Sequence, residues 1–293
     1  MAFQNLCNIA TEAALEAGKL IQQHASTNDI KVEHKEYGSS IASQVVTQVD
    51  RLSQDVILKY ILPTCEKYNL GLLTEESTDD NSRFQKEYFW CIDPIDGTLP
   101  FIKQTAGYSV SIGLVAKDGT PIMGLIYDPI EENLYHAIKD EGAFFNKKPM
   151  RLPELENLSS KPFTWVCDPG FEKHPKYAII KDAIQQLANN WGYSEFKTIE
   201  LGGAAMNGIW TIEHAPACYF KLPKPEAGGG SLWDFAATAA ILSELGASAT
   251  NMHLQKLDLN RKDSTYMNHQ GALYASHKEM GKALSKVLLE INS

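Results

Sequence analysis

Two aspartates spaced three apart close an apolar run in Tyr88-Phe89-Trp90-Cys91-Ile92-Asp93-Pro94-Ile95-Asp96-Gly97-Thr98. The apolar part reads as a buried strand, so both carboxylates fall at a strand end. Hard divalent cations take oxygen ligands, and Mg²⁺ is held by a few carboxylates together with substrate phosphate. Pro94 fixes the chain between Asp93 and Asp96, and Gly97 lets a phosphate approach the backbone closely. Thr98 adds a hydroxyl and an amide at the start of a short helix, where anions are favoured. Asp-Pro and Asp-Gly pairs also form turns, so this fragment alone accommodates either a metal site or a surface turn.

Three further acidic positions stand at element ends. Asp50 follows Val45-Val46-Thr47-Gln48-Val49 at a helix start. Glu75 and Glu76 follow the short strand Leu70-Gly71-Leu72-Leu73, and Asp234 follows Gly228-Gly229-Gly230-Ser231-Leu232-Trp233. Taken singly, Asp50 and Asp234 also read as helix caps, and Glu76 as a solvated carboxylate.

The elements that must position these groups follow from periodicity. Residues 4–24 carry Leu6, Ile9, Ala10, Ala13, Ala14, Ala17, Leu20 and Ile21 at helical spacing. Gly38-Ser39-Ser40 is a flexible break. A second helix runs from Val49 to Leu62 and is expected to stop before Pro63. Thr78 to Arg83 is polar and reads as a mobile loop. Strands follow at Tyr108–Ala116, Pro121–Tyr127 and Asn133–Ile138, punctuated by Asp118-Gly119 and Asp128-Pro129, which suggests antiparallel pairing. Beyond about Met150 the pattern alternates. Strands at Phe163–Cys167, Phe196–Glu200, Ala217–Phe220 and Gly271–Ala275 are interleaved with helices at Lys176–Asn189, Gly202–Glu213, Leu232–Leu245 and from His277 onward. That alternation implies α/β layers. Residues 1–150 are therefore expected to form an N-terminal α+β subdomain carrying most of the acidic positions. Residues 151–293 form a C-terminal α/β subdomain carrying Asp234, with a seam at residues 151–161.

The chain has 293 residues, of which 44% are hydrophobic and 22% charged, the composition of an ordinary globular protein. A net charge of −9 argues against broad binding of nucleic acid or anionic membrane, but leaves room for a small anionic substrate at a metal site. Five scattered cysteines without CxxC spacing suit buried free thiols in a reducing compartment. The eight histidines include no HExxH. With no signal-peptide pattern and no apolar run of spanning length, a cytoplasmic location is the expectation.

Together, these motifs resemble the inositol monophosphatase superfamily of Mg²⁺-dependent, lithium-sensitive phosphomonoesterases. The resemblance runs through Val46-Thr47-Gln48-Val49-Asp50, Leu73-Thr74-Glu75-Glu76-Ser77, Asp93-Pro94-Ile95-Asp96-Gly97-Thr98 and Tyr108-Ser109-Val110-Ser111-Ile112-Gly113. It continues through Gly124-Leu125-Ile126-Tyr127-Asp128-Pro129, Gly142-Ala143-Phe144-Phe145-Asn146, Gly202-Gly203-Ala204-Ala205 and Trp233-Asp234. It implies a layered αβαβα sandwich of the sugar-phosphatase type with the site between two subdomains, and homodimers are usual in the superfamily. Glu75, Asp93 and the Ile95 carbonyl look like ligands of a first Mg²⁺, and Asp93, Asp96 and Asp234 like ligands of a second, with two or three ions per site. Asp50 and Thr98 look like the pair that orients an attacking water, with Glu76 nearby. Gly97 and Thr98 amides would hold phosphate, and Gly202, Gly203 and Ala204 would line the substrate. The implied reaction is in-line displacement by water with no covalent phosphoenzyme.

The chain departs from the usual pattern at Thr74, where the family has Gly or Ser. It departs again at Leu99-Pro100-Phe101-Ile102, closer to the 3'(2'),5'-bisphosphate nucleotidase branch, and at Gly203, where a hydroxyl residue is common. Lys221 stands where inositol phosphatases place a glutamate that bonds sugar hydroxyls. A cation there favours a second phosphate, although a solvated Lys221 on a loop before Pro223 fits as well. The segment Leu257 to Asn268 also resembles the nucleotidase branch, or is a surface turn. The expected substrate is therefore a small phosphorylated metabolite. Adenosine 3',5'-bisphosphate or its sulfated form comes first, inositol monophosphate second and fructose bisphosphate third. A non-catalytic relative that only binds metal or phosphate is the reading from another class.

Overall fold

The computed structural model describes residues 3–25, 32–34, 45–155 and 160–292. The Gly38-Ser39-Ser40 break and residues 156–159 of the seam lie outside the described residues. Helix α1 (Phe3–Ala25) buries Leu6, Ala10, Ala13, Ala14, Ala17 and Ile21, the face its periodicity marks. Two short strands, β1 (Val32–His34) and β2 (Val45–Thr47), pair antiparallel ahead of helix α2 (Gln48–Tyr68).

Seven strands then form one sheet in sequence order: β3 (Gly71–Thr74), β4 (Tyr88–Asp96), β5 (Ser109–Ala116), β6 (Pro121–Asp128), β7 (Asn133–Ile138), β8 (Gly142–Phe145) and β9 (Lys148–Pro149). Only β3 and β4 run parallel; the rest are antiparallel as the turn spacing indicates. Side chains alternate across the sheet. Trp90 and Ile92 face α1 and α2, whereas Phe89 and Cys91 face the opposite layer.

A short helix, α3 (Thr98–Ile102), follows β4, and the opposite layer holds α5 (Ala204–Glu213) and α6 (Leu232–Glu244). Against its far side lies a second sheet of β10 (Phe163–Val166), β11 (Phe196–Ile199), β12 (Ala217–Lys221), β13 (Ser248–Thr250) and β14 (Ala272–Ala275), in the order β11-β10-β12-β14-β13. Val166, Tyr219 and Tyr274 face α5 and α6. Trp165, Cys218, Phe220 and Leu273 face a core shared with α4 (Tyr177–Asn190) and α7 (Lys278–Asn292). The result is the expected αβαβα sandwich, with α5 and α6 buried between two mixed sheets.

Three local expectations are corrected. First, α2 continues through Pro63 to Tyr68. Its last turns are anchored by Thr64, whose hydroxyl donates to the Ile61 carbonyl (2.6 Å) and accepts from the Trp90 indole (2.9 Å). Burial on β4 outweighs the one backbone bond that proline removes.

Second, the Thr78–Arg83 segment is pinned. Arg83 is 2% exposed, paired with Asp79 at 2.7 Å, and donates to Asn260 Oδ1 and the Arg261 carbonyl at 2.8 Å. Third, these bonds also tie down the Leu257–Asn268 segment, in which Leu257, Leu259 and Met267 are core residues, so it is no surface turn. Strand β13 has no counterpart in the sequence reading. The five cysteines are free, four of them buried. No described helix is long and apolar enough to cross a membrane.

Candidate active site

Strand β4 does not end at Ile92 but runs to Asp96, and its pairing slips on the way. Asp93 lies opposite Ser111 and Asp96 opposite Ser109, so two residues of β4 stand against one of β5. Residues three apart on a regular strand point to opposite faces. The extra residue of this bulge cancels the mismatch and turns both aspartates to one side. Pro94 sits in the bulge; its carbonyl accepts from Ser53 Oγ (2.9 Å), and Ile95 N–H donates to Asp93 Oδ1 (3.0 Å).

Asp234 reaches the same place from the first turn of α6. Ser231 and Asp234 form a capping box, with Ser231 N–H donating to Asp234 Oδ2 at 3.0 Å. Ser111 Oγ, one residue from the bulge's partner, donates to the Trp233 carbonyl (3.0 Å) and ties this helix start to β5. Carboxylate oxygens of Asp93, Asp96 and Asp234 lie within 4.8 Å of one another.

Asp96 is held from the other half of the chain. The Ala204 and Ala205 amides at the start of α5 donate to its two oxygens at 3.1 and 2.9 Å. Gly203 N–H donates to the Gly107 carbonyl (2.7 Å), and the Gly202 carbonyl accepts from Asn207 Nδ2 (3.1 Å). The amides of Gly203 and Ala204, expected to line the substrate, are thus spent on placing Asp96 and the chain around it. Gly97, in the left-handed region at φ 87°, packs against Gly107 and Gly203. That contact has no room for side chains, which accounts for glycine at position 203.

Thr98 Oγ1 donates to Asp50 Oδ1 at 3.2 Å, and both residues are buried. Asp50 comes from the first turn of α2, with Ser53 and Gln54 on the same face one turn on. Glu75 leaves β3 with its amide bonded to the Ile92 carbonyl (3.1 Å), and its side chain reaches Asp93. Glu76 N–H donates to Gln54 Oε1 at 3.2 Å.

The electrostatics follow from this crowding. Burial, followed by repulsion from Glu75, Asp96 and Asp234, pushes Asp93 well above the usual carboxylate range. Burial and Asp234 push Asp96 up against the Ala205 amide and Lys221, which pull it down. Asp234 is raised to about 6 by burial and Glu75, with Lys221 and the Ser231 amide opposing. Buried like charges with only oxygen donors fit a hard divalent cation, and carboxylates have lone pairs left after the amide bonds to Asp96.

Lys221 lies at the end of β12, not on a solvated loop. Its ammonium is 2.9 Å from Asp168 Oδ2, and Asp168 Oδ1 accepts from the Tyr219 hydroxyl (2.9 Å) and Asn207 Nδ2 (3.3 Å). Burial opposes the charge on Lys221, but Asp168, Asp234 and Asp96 outweigh it, so its pKa is raised. Lys221 is therefore paired with a carboxylate at the end of a strand and is not a lone solvated cation.

Ser53, Gln54, Ser111, Asp168 and Asn207 support this site and escaped the sequence reading. Two signals were available. Ser53 and Gln54 follow Asp50 at i+3 and i+4, and Cys167-Asp168-Pro169 repeats the strand-Asp-Pro pattern of the opening motif.

Comparison with known proteins comes to the same place. The sequence profile of the inositol monophosphatase family matches residues 3–289. Inositol-1-monophosphatase of Synechocystis is 26% identical over 286 residues, covering 97% of this chain and 89% of that protein. Nus factor SuhB of Escherichia coli is 30% identical over 243 residues, covering 82% of this chain and 83% of that one. Among solved structures, the extragenic suppressor protein suhB from Bartonella henselae superposes with a TM-score of 0.74 at 22% identity, covering 97% of this chain and 98% of its own. Inositol monophosphatase from Anabaena superposes with a TM-score of 0.69 at 24% identity, covering 99% and 97%.

Proposed function

Since this chain belongs to the inositol monophosphatase family of phosphoric monoester hydrolases, we propose that it removes phosphate from a small polyol phosphate of the inositol 1-phosphate type. The observation that carries the reading is the convergence of Asp93, Asp96 and Asp234 within 4.8 Å at the mouth of a bulged strand. Glu75, Asp93, Asp96, Asp234 and the Ile95 carbonyl are the groups that would hold Mg²⁺. Bound there, Mg²⁺ supplies charge neutralisation and Lewis-acid polarisation of the phosphate ester.

The chain's own residues supply orientation and proton transfer. Asp50, fixed by Thr98 Oγ1, is the acceptor for a proton of the attacking water, and Glu76 is tied through its amide to Gln54, one turn further along the same helix. Gly97 and Thr98 are read as receiving the phosphate through their backbone amides, where the chain leaves β4 and a short helix begins. The two sheets are read as subdomains 1–150 and 151–293, with this site at their junction.

Lys221 shifts the choice of substrate. With its charge answered by Asp168, the leaving-group side presents a neutral pair of donor and acceptor, which suits vicinal hydroxyls better than a second phosphate. The names of the relatives point the same way. The nucleotide bisphosphate reading stays second, since it needs Lys221 released from Asp168. The test is phosphate release with Mg²⁺ from inositol 1-phosphate and from adenosine 3',5'-bisphosphate. A clearly higher kcat/KM for the first is expected, and the reverse order would overturn the polyol assignment. Asp93→Asn is expected to abolish turnover on either; unchanged turnover would sink the metal assignment altogether.

A further inference from the structure

Position 74, where the resemblance anticipates a glycine or serine, carries a threonine whose hydroxyl is used. Thr74 is buried at the end of β3, and its Oγ1 donates to Gln54 Oε1. The same oxygen accepts the Glu76 amide at 3.2 Å, and Gln54 Nε2 donates to Ser77 Oγ at 2.9 Å. The residues on both sides of Glu75 are therefore bonded to a single side-chain oxygen, and the turn that follows to the other end of the same amide. Gln54 is itself 6% exposed, on the face of α2 that carries Asp50 and Ser53. Ser53 grips the Pro94 carbonyl within the bulge. One helical face thus braces both segments from which Glu75, Asp93 and Asp96 project.

The consequence concerns Glu75. Its amide makes the last bond to β4 at Ile92, after which the chain leaves the sheet. The direction of its side chain then depends on the backbone at 74 and 76, and Gln54 fixes both. We propose that Gln54 and Thr74 are positioning residues that aim Glu75 at the Asp93–Asp96–Asp234 cluster, so that cation affinity depends on this clasp. The proposal rests on the reading of that cluster as a Mg²⁺ site. Groups that orient ligands without touching the ion commonly govern affinity by about tenfold or more.

The test measures Mg²⁺ dissociation constants by calorimetry on the full chain, with metal-free Tm recorded alongside. Thr74→Val keeps the shape and removes the hydroxyl; Gln54→Met keeps the length and removes the amide. Both are expected to weaken Mg²⁺ binding by about tenfold, whereas Thr74→Ser retains the parent affinity. A fall in metal-free Tm with unchanged Mg²⁺ affinity would overturn the proposal, reducing the clasp to a brace for folding. A Thr74→Ser protein as weak as Thr74→Val would overturn it too. Asp93→Asn separates this from the underlying reading. If it leaves Mg²⁺ binding intact, the cluster is not the site; if it abolishes binding while Thr74→Val does not, only the clasp fails.

Discussion

The Lys221 ammonium sits 2.9 Å from Asp168 Oδ2, joining the end of β12 to a carboxylate two residues past the end of β10, across two parallel neighbours of the same sheet. Tyr219 and Asn207 hold the other oxygen of Asp168, so the carboxylate is fixed before any substrate arrives. Removing its charge should free Lys221 for anions. Asp168→Asn is expected to raise the ratio of kcat/KM for adenosine 3',5'-bisphosphate over inositol 1-phosphate by roughly tenfold, the equivalent of one gained charge-assisted hydrogen bond. An unchanged ratio in a steady-state comparison of the two substrates would mean that this pair does not face the leaving group.

The Thr98–Asp50 bond makes a separate prediction. Thr98→Val removes the donor while keeping the shape, so Asp50 loses its orientation. We expect kcat to fall by about 10²-fold or more, with Mg²⁺ affinity affected far less, because the Thr98 hydroxyl meets the ligand groups only through a long 3.4 Å contact with the Ile95 carbonyl. Thr98→Ser should restore most of the rate. Rapid-quench phosphate release together with calorimetry separates the two effects, and a joint loss of rate and Mg²⁺ affinity would contradict the assigned role.

How far the sequence spoke for itself depends on the range of the interaction. Most strands and helices were legible because apolar runs such as Phe89–Ile92 and helical spacings are written locally, whereas the order of the layers came only from the family resemblance. Asp93, Asp96 and Asp234 were legible as acids at element ends. Their approach was anticipated only through the family resemblance, because it needs the bulge that turns Asp93 and Asp96 to one face, and a register slip leaves no periodic trace. Arg83 and Pro63 were misread for a related reason. Arg83 finds Asn260, 177 residues away, and α2 survives its proline through burial on β4. Lys221 could be seen as a cation, but its neutraliser Asp168 lies 53 residues earlier in sequence and meets it only through the pairing of β10 with β12.

The raised carboxyls of the cluster set a pH dependence for the metal-free protein. A carboxyl whose folded pKa lies above its unfolded one keeps its proton in the fold after the unfolded chain has lost it. Stability then falls as pH rises from about 4 through the folded value, about 6 for Asp234. Burial depresses His136, His174 and His269, which works in the opposite sense below the ordinary histidine range. Comparison with Asp234→Asn cancels that contribution. In EDTA, Asp234→Asn should raise Tm by about 4 °C at pH 7.5 and by much less at pH 4.5. With saturating Mg²⁺ the order should reverse, because the parent alone retains the full ligand set. Differential scanning fluorimetry across both conditions checks it, and a variant that is less stable than the parent in EDTA at pH 7.5 would refute the repulsion argument.

The glycines where the two halves of the site meet set the final prediction. A Cβ on Gly203 would overlap Asp96 Oδ2 and stand 2.6 Å from Gly97 N, positions held by the bulge on one side and by the start of α5 on the other. Neither neighbour is the free end of a flexible side chain. Gly203→Ala should therefore destabilise by about 1–3 kcal/mol, and Mg²⁺ affinity should fall with it because Asp96 must move. Gly142 is the control: its φ of 96° strains any L-residue, yet a Cβ there meets nothing within 4 Å. Gly142→Ala should cost about 1 kcal/mol and leave Mg²⁺ affinity and turnover untouched. Urea denaturation and calorimetry on both variants distinguish a site effect from a backbone one. Equal Mg²⁺ affinities for Gly203→Ala and the parent would show that Asp96 is free to shift without consequence, and that its two amide bonds to α5 do not position it for the cation.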